Sequence, residues 1–558
     1  MDKARPQTPS QSTRRTGPWP WIGLLVALAF NAWLRGHAFG PALRDMTGLN
    51  AYPVTSAESE PLDCDEAIYG YIGKRLNDGA VMYRDLTENK PPLGYWLFAG
   101  AVAIGGPTEL TIRLMPLPFV LATTAIVWWV ARRLQGDLAA LIASLTFALV
   151  STDPFLYGES ANMEHMINLC SFSALAFLLA ARSRPGGAAS FASGVMLGLA
   201  TLIKQTSALN VPLLAAAIVL DREEGRPRGR RLLAFCAGTA TALVLTVVAL
   251  LAQGAAGSAW ADVAHYGRAL ATETPPAPNA PPWPLRWVTG NADPQGGLPW
   301  PFGDSTYLVW WGTGTWPVWL LAIPALAWFT RSRMATTERR WVAVWTLSAW
   351  VQVALPGLFW QHYYLLPVPG LAVLVGVFLA DQVTLTWTSP RRNAVHACML
   401  IFLASGLVWT ARLQAVEYLG VSPEGLVKDR GGPQWLVNRA LGREIARRTA
   451  GWRNPTLFVW GWQGPLYFYS GLKGVTPQVF VDDFLKAHAG TDHPLARPRI
   501  ERTMRDLREN PPTLIFAGYP PFPELRRFLE ERYFPSQIAP GLWVERSVYG
   551  AFEGAAGR

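Results

Sequence analysis

The chain has 558 residues, half of them apolar and 12% aromatic, with only 16% charged and a formal net charge of +10. That is too apolar for an ordinary water-soluble protein. The positive charge sits in short loops between apolar runs, which reads as membrane topology and excludes a nucleic-acid surface as its first explanation. Four cysteines are too few for a disulfide framework: Cys170, Cys236 and Cys398 lie inside apolar runs, and Cys64 stands alone in a polar loop.

In chain order, residues 1–18 form a polar Pro/Ser/Thr-rich tail carrying Lys3, Arg5, Arg14 and Arg15, expected to be disordered and cytoplasmic. Residues 19–39 are the first apolar span. No small-residue cleavage site follows it, and Asn31 and Arg35 lie near its end, so an uncleaved helix is expected rather than a signal peptide. Its basic flank places the N-terminus inside and the loop 41–108 outside. Within that loop, residues 66–76 read as a short helix. Residues 91–104 read as a helix lying in the interface, because a crossing needs about 20 apolar residues.

The remaining spans are 109–134, 138–152, 163–181, 191–206, 209–220, 232–253, 307–329, 341–360, 363–380 and 394–410. This gives about eleven spans, with every strongly basic loop on one side and the C-terminus on the other. Counting 91–104 as a span would reverse that agreement. The fold class expected is mainly α: a polytopic membrane helix bundle over 19–412 followed by a soluble α/β domain over 413–558. In that domain 434–448, 497–509 and 522–532 read as helices, and TLFVWG, TLIFAG and LWVERSVY as strands. The Pro/Gly/Trp-rich outer loop 254–304 is of the type that lids a site. Internal repeats and a glycine-rich phosphate loop are absent from the sequence.

The chemistry concentrates in 63–96, DCDEAIYGYIGKRLNDGAVMYRDLTENKPPLGYW, where Asp63, Asp65 and Glu66 fall within four residues and Lys90 precedes a double proline. On the topology above, Glu159 and Glu164 in YGESANMEHM, Arg113, Lys204 in GLATLIKQT, and His362 with Tyr363 and Tyr364 all reach the same outer side. Charges this close to a membrane are costly and generally line a cavity or pathway. A carboxylate pole that takes a hydroxyl proton, opposite cations that hold a departing phosphate, needs this separation of charge.

The ordered set DEAIYGYIG, YRD…ENKPPLGYW, LTIRLMPL, YGESANMEHMINL, GLATLIKQT and HYYLLPVPGLAVLVG resembles a known family. It is the large bacterial family related to dolichyl-phosphate-mannose–protein mannosyltransferases and lipid A aminoarabinose transferases, with the membrane GT-C fold. The resemblance covers about residues 60–210 and 360–376. It implies an inverting glycosyltransferase that moves a sugar from a polyprenyl-phosphate donor to a hydroxyl of a protein, lipid or glycan acceptor. The reaction would take place on the outer face of the bacterial inner membrane, with membrane lipids as neighbours and no nucleic acid. It implies Asp65 as the base, with Glu66 and Asp63 as second choices, and Glu164 as the second acid, where family members often carry Asp. It implies Lys90, Arg113, Lys204 and His362 as ligands of the donor phosphate, and Tyr83, Tyr95, Glu159, Tyr363 and Tyr364 as cavity-lining residues. No cofactor and no metal ligand is expected, although a divalent ion at the acidic loop stays open.

Plainer roles compete with each of these. An acid before a helix caps it, most of all Asp63, and Lys90, Arg113 and Lys204 could snorkel to headgroups. His362 could be an interfacial histidine, and Glu159 a solvated turn residue. The Trp128/Trp129 and Trp310/Trp311 pairs read as membrane anchors. Asp482 and Asp483 read as surface or strand-end acids, and His488 and His493 are too isolated to argue a metal. Two other functions remain open: a secondary transporter, which predicts inverted repeats and charges near the bilayer midplane, and a non-catalytic membrane binding or assembly protein.

Overall fold

The computed structural model describes residues 19–54, 56–182, 187–221, 227–275, 315–332, 334–388, 393–430 and 434–555. The expected N-terminal tail, most of the outer loop 254–304 and Trp310/Trp311 lie outside the described residues.

The eleven apolar segments are mainly helical where described, with breaks at Lys204 and over 358–360. The first is α1 (Trp19–Gly36), followed by the short α2 (Gly40–Thr47). The loop 41–108 carries α3 (Cys64–Asn77) and α4 (Leu93–Gly105). At 13 residues, α4 is one of several apolar helices here shorter than the about 20 residues of a straight crossing. Then come α5 (Glu109–Leu114) and α6 (Leu117–Gln135), one apolar stretch broken where Pro116 removes a backbone donor, and α7 (Asp137–Ser151). The bundle continues with α8 (Met163–Ala181), α9 (Ala188–Ile203), α10 (Asn210–Leu220) and α11 (Arg228–Ala252). Helices Trp316–Arg331, Thr337–Ala354, Val368–Thr388 and Asn393–Gln414 complete it. Five described helices are long and apolar enough to cross a bilayer.

Small residues set the close approaches. A Cβ on Gly194 of α9 would lie 2.0 Å from the Phe235 carbonyl of α11, and one on Gly238 of α11 would lie 2.1 Å from the Phe191 carbonyl. With no hydrophobic drive between helices in lipid, such backbone contact is what holds them together. One end of the bundle is tied by ion pairs: Arg133 with Glu338 at 2.8 Å, Arg182 with Asp221 at 3.3 Å, Arg231 with Asp221 at 3.1 Å, and Arg339 with Asp381. The basic loops expected on one side therefore converge in space.

The C-terminal domain holds a five-stranded mixed sheet in the order β2-β1-β3-β5-β4, with β1 (Thr456–Trp460), β2 (Lys473–Gly474), β3 (Leu514–Ala517), β4 (Tyr533–Pro535) and β5 (Leu542–Glu545). β1 pairs in parallel with β2 and β3, while β5 runs antiparallel to β3 and β4. The three expected strands are present, the last ending at Glu545, after which Tyr549–Gly554 is helical. Helices Gln434–Arg448, Arg497–Glu509 and Pro523–Arg532 pack around the sheet as the sequence periodicity predicts. β2 and β4 have only 2 and 3 residues and showed no run to read.

This domain grips the loop 41–108. The Tyr71 hydroxyl accepts from Gly474 N–H at 2.8 Å, the Tyr469 hydroxyl accepts from Leu62 N–H at 2.8 Å, and Thr87 N–H donates to the Pro477 carbonyl at 2.9 Å. Arg439 is held by Glu58 at 3.1 Å and Glu424 at 3.4 Å.

Candidate active site

The N-terminus of α3 is where the three clustered acids part company. Asp63 is the N-cap: its Oδ1 accepts from Glu66 N–H at 2.8 Å, and Glu66 Oε2 accepts from Asp63 N–H at 3.0 Å. This reciprocal capping box satisfies two of the helix's free donors. Glu66 is fully buried, accepts a further bond from Ala161 N–H at 2.6 Å and faces the Arg113 guanidinium at 3.2 Å. Arg113 also meets Glu60 at 3.5 Å and donates to the Pro61 carbonyl at 2.9 Å and to the Ser160 hydroxyl at 3.4 Å. Glu159 joins the same cluster, accepting from the Ser160 hydroxyl at 3.3 Å. Asp63, Glu66, Glu159 and Arg113 thus form a packed ion cluster behind the helix start. Burial, with the neighbouring Glu66 and Asp65 carboxylates, pushes the Asp63 carboxyl well above the usual carboxylate range.

Asp65 points the other way. It is the most accessible of the three acids, with its side chain 24% exposed, and its Oδ2 accepts from the Tyr69 hydroxyl one turn on at 2.9 Å. His362 Nε2 lies 3.9 Å from the same oxygen, too long for a direct hydrogen bond. Burial alone would raise the Asp65 carboxyl, but Lys90, His362, the Tyr69 hydroxyl and Lys204 together outweigh it and hold it below its usual range. The Lys90 ammonium stands 5.3 Å from the Tyr69 ring centre. Burial lowers that ammonium, while Glu88, Asp65 and Glu164 raise it by more, so it stays charged.

Lys90 is placed by its own loop. Tyr83, buried and at φ +66°, closes the turn with its N–H on the Leu86 carbonyl at 2.8 Å and its hydroxyl on the Lys90 carbonyl at 2.8 Å. A bulky residue in the left-handed region persists only when its surroundings force it. Tyr95 packs edge-to-face on Tyr69 at 5.8 Å.

Glu164 sits in the first turn of α8, and Lys204 at the break between α9 and α10 donates to its Oε1 at 2.8 Å. The Lys204 ammonium also lies 3.3 Å from the Tyr363 ring centre, and His362 meets the same ring edge-on at 4.7 Å. Tyr364 packs instead against Trp350 at 5.7 Å. Asp65, Lys90, Glu164, Lys204, His362 and Tyr363, drawn from five separate segments, therefore form one polar cluster at one end of the bundle. Among the described residues no three His, Cys, Asp or Glu side chains converge as a metal-binding set.

The sequence reading missed Tyr69 and Glu60. Tyr69 was findable, because a tyrosine four residues after an acid on a helix shares its face. Glu60 carried no local pattern. Cys64, read as isolated, donates its thiol to the Trp462 carbonyl at 2.9 Å and so joins the C-terminal domain to the start of α3.

The comparisons with known proteins agree with this architecture. Residues 89–251 match the family model described as dolichyl-phosphate-mannose-protein mannosyltransferase. No curated protein matches the chain by sequence. Among solved structures, ArnT from Cupriavidus metallidurans bound to undecaprenyl phosphate superposes with a TM-score of 0.57 at 16% identity, over 94% of this chain and 97% of that one. The apo ArnT structure gives 0.58 at 15% identity, over 97% and 100%. The archaeal oligosaccharyltransferase AglB from Archaeoglobus fulgidus, in complex with an inhibitory peptide and a dolichol-phosphate, gives 0.55 at 11%, over 89% and 69%. The chain thus shares the fold of ArnT and AglB, and its residues 89–251 match the mannosyltransferase family model.

Proposed function

We propose that this protein is an inverting glycosyltransferase that moves a sugar from a polyprenyl-phosphate donor to a hydroxyl acceptor. The observation that carries the reading is Asp65, a partly accessible carboxylate, set among Lys90, Lys204 and His362 at one end of an apolar helix bundle. In the reaction the acceptor oxygen attacks the anomeric carbon and the bond from that carbon to the phosphate oxygen breaks. The hydroxyl proton passes to Asp65, and polyprenyl phosphate leaves. Lys90, Lys204 and His362 hold the leaving phosphate, where charge develops.

A carboxylate held low is a weak base, and the same arrangement supplies the remedy. A phosphate that engages the Lys90 and Lys204 ammonium groups withdraws their pull from Asp65, which raises its proton affinity when the donor is bound. Glu164 keeps Lys204 in place, and Glu66 with Arg113 holds the start of α3. The ArnT and AglB relatives, whose structures contain undecaprenyl phosphate and a dolichol-phosphate, support a lipid phosphate as the ligand. We further propose that the site faces the extracytoplasmic side of the inner membrane, since the basic loops gather at the opposite end of the bundle.

Purified protein in lipid, given labelled polyprenyl-phosphate sugars and membrane extract as acceptor source, should transfer label, and folded Asp65→Asn should not. Equal transfer by both proteins would overturn the assignment of Asp65. No transfer by the native protein from any donor would overturn the activity.

A further inference from the structure

Strand β1 lies between β2 and β3 and runs parallel to both. The chain leaves β1 for β2 on one side, then crosses back to β3 on the other. In open α/β sheets this reversal opens a crevice at the carboxyl ends of the two strands, and ligands bind there. Here those ends continue as Gly461-Trp462-Gln463 after β1 and Gly518-Tyr519 after β3.

The residues at these strand ends present both apolar and hydrogen-bonding surface. Trp462 is half-buried, backed by Phe480 at 5.4 Å and met edge-on by Trp360 of the membrane bundle at 6.4 Å. Tyr519, tied to β1 by its N–H on the Trp460 carbonyl at 3.0 Å, carries the Lys486 ammonium 4.2 Å from its ring centre. The Gln463 carboxamide lies so close over Gly518 that a Cβ there would fall 1.9 Å from Oε1. That oxygen is shielded from solvent and accepts no hydrogen bond among the described residues. A shielded acceptor left unpaired is costly, which points to a donor that arrives with a ligand. The crevice also adjoins the reacting end: the Trp462 carbonyl takes the thiol of Cys64, the residue before Asp65, and Trp360 is two residues before His362.

We propose that this crevice is the acceptor subsite and that it takes a sugar ring, so that the acceptor is a hydroxyl of a glycan or glycolipid. A sugar ring offers a C–H face that stacks on an indole and a rim of hydroxyls that donate to a carboxamide oxygen. An extended peptide would be recognised along a free strand edge, and β1 and β3 are both interior strands. The inference rests on the glycosyl-transfer reading and names the acceptor class of that site.

The test uses the full chain in lipid nanodiscs, native and with Trp462→Ala, Trp462→Phe or Gln463→Leu. Saturation-transfer NMR with methyl glycosides and disaccharides reads binding directly, and transfer from an undecaprenyl-phosphate sugar to extracted glycolipid reads the acceptor KM. Saccharide C–H resonances should respond with native protein and Trp462→Phe and be lost with Trp462→Ala. The acceptor KM should rise about tenfold in Trp462→Ala with the donor KM unchanged. Gln463→Leu keeps the side chain's bulk while removing the unpaired acceptor and the amide donors, so it should fold and still raise the acceptor KM. Unchanged saccharide response and acceptor KM in folded Trp462→Ala would overturn the subsite. Transfer by native protein onto peptide alone, with no saccharide bound, would also overturn it while leaving the glycosyl-transfer reading intact. Trp462-dependent saccharide binding without any transfer would uphold the subsite and reject that reading.

Discussion

The Lys204 ammonium donates to Glu164 Oε1 at 2.8 Å with both side chains almost wholly buried, and the same ammonium lies 3.3 Å from the centre of the Tyr363 ring. This pair joins the start of α8 to the break between α9 and α10, so it organises the bundle as well as the site. Removing one partner of a buried pair leaves an uncompensated charge and costs about 3–5 kcal/mol. Lys204→Met should therefore unfold at markedly lower temperature than the native chain. The double variant Glu164→Gln/Lys204→Met should recover part of that loss, as thermal unfolding in lipid would read. Simple additivity of the two single variants would mean that the pair is not coupled.

Asp65 is held below the usual carboxylate range, so its charged form survives acid. The sign is that of a depressed carboxylate: its contribution is present above the ordinary unfolded value and is lost as pH falls through the lower folded one. Transfer rates below donor saturation should stay flat on the acid side down to about pH 4. At neutral pH, Asp65→Asn should reduce turnover by about 10²-fold or more, the range of a general base. An acid limb in the native enzyme near pH 6 would point to another group as the base.

Arg113 and Lys90 should separate by phenotype. Arg113→Met leaves Glu66 and Glu60 buried without their cation, and the expected result is loss of folded protein by size-exclusion and unfolding assays. Lys90→Met removes a cation whose neighbours include a half-open site. It should fold, raise the donor KM and lower turnover at least about tenfold.

Asp482 caps the helix Asp483–His488, accepting from Leu485 N–H at 2.8 Å and from the Tyr266 hydroxyl at 2.8 Å. The sequence places it as a surface or strand-end acid, yet it is 5% exposed. Burial pushes its carboxyl up to about 6. A raised carboxylate favours the folded state fully below its unfolded value, and that advantage is lost as pH rises through about 6. Asp482→Asn keeps the cap and the acceptor without the charge, so it should stabilise the chain at pH 8, by up to roughly 3 kcal/mol, and little at pH 4. Melting curves at the two pH values decide this.

Gly194→Ala places a Cβ 2.0 Å from the Phe235 carbonyl, so α9 and α11 must move apart, at a cost of about 1–3 kcal/mol. Gly100→Ala in α4 meets nothing within 4 Å and should be neutral or slightly stabilising. Equal melting temperatures for the two variants would refute the close-packing account.

Much of the bundle was legible because apolar run length and loop charge are local quantities. The 163–181 span coincides with Met163–Ala181, and 91–104 is the 13-residue helix its length implied. The site was legible as a roster of residue types, but not as an arrangement. Asp63, Asp65 and Glu66 are equivalent in the sequence, whereas the helix start commits Asp63 to capping and Glu66 to Arg113 and leaves Asp65 accessible. Nothing local to Trp462 linked it to Cys64, because 398 residues separate them.

By itself the sequence determined the apolar runs, the basic loops between them and the inventory of acids and cations. Each of these follows from hydropathy and charge within a few neighbouring residues. Only the tertiary structure decided which acid stays open, which cation is already paired and which end of β1 meets the start of α3. Those outcomes depend on burial and on contacts between segments far apart in the chain, where desolvation and geometry, and not residue type, determine what a charged group can do.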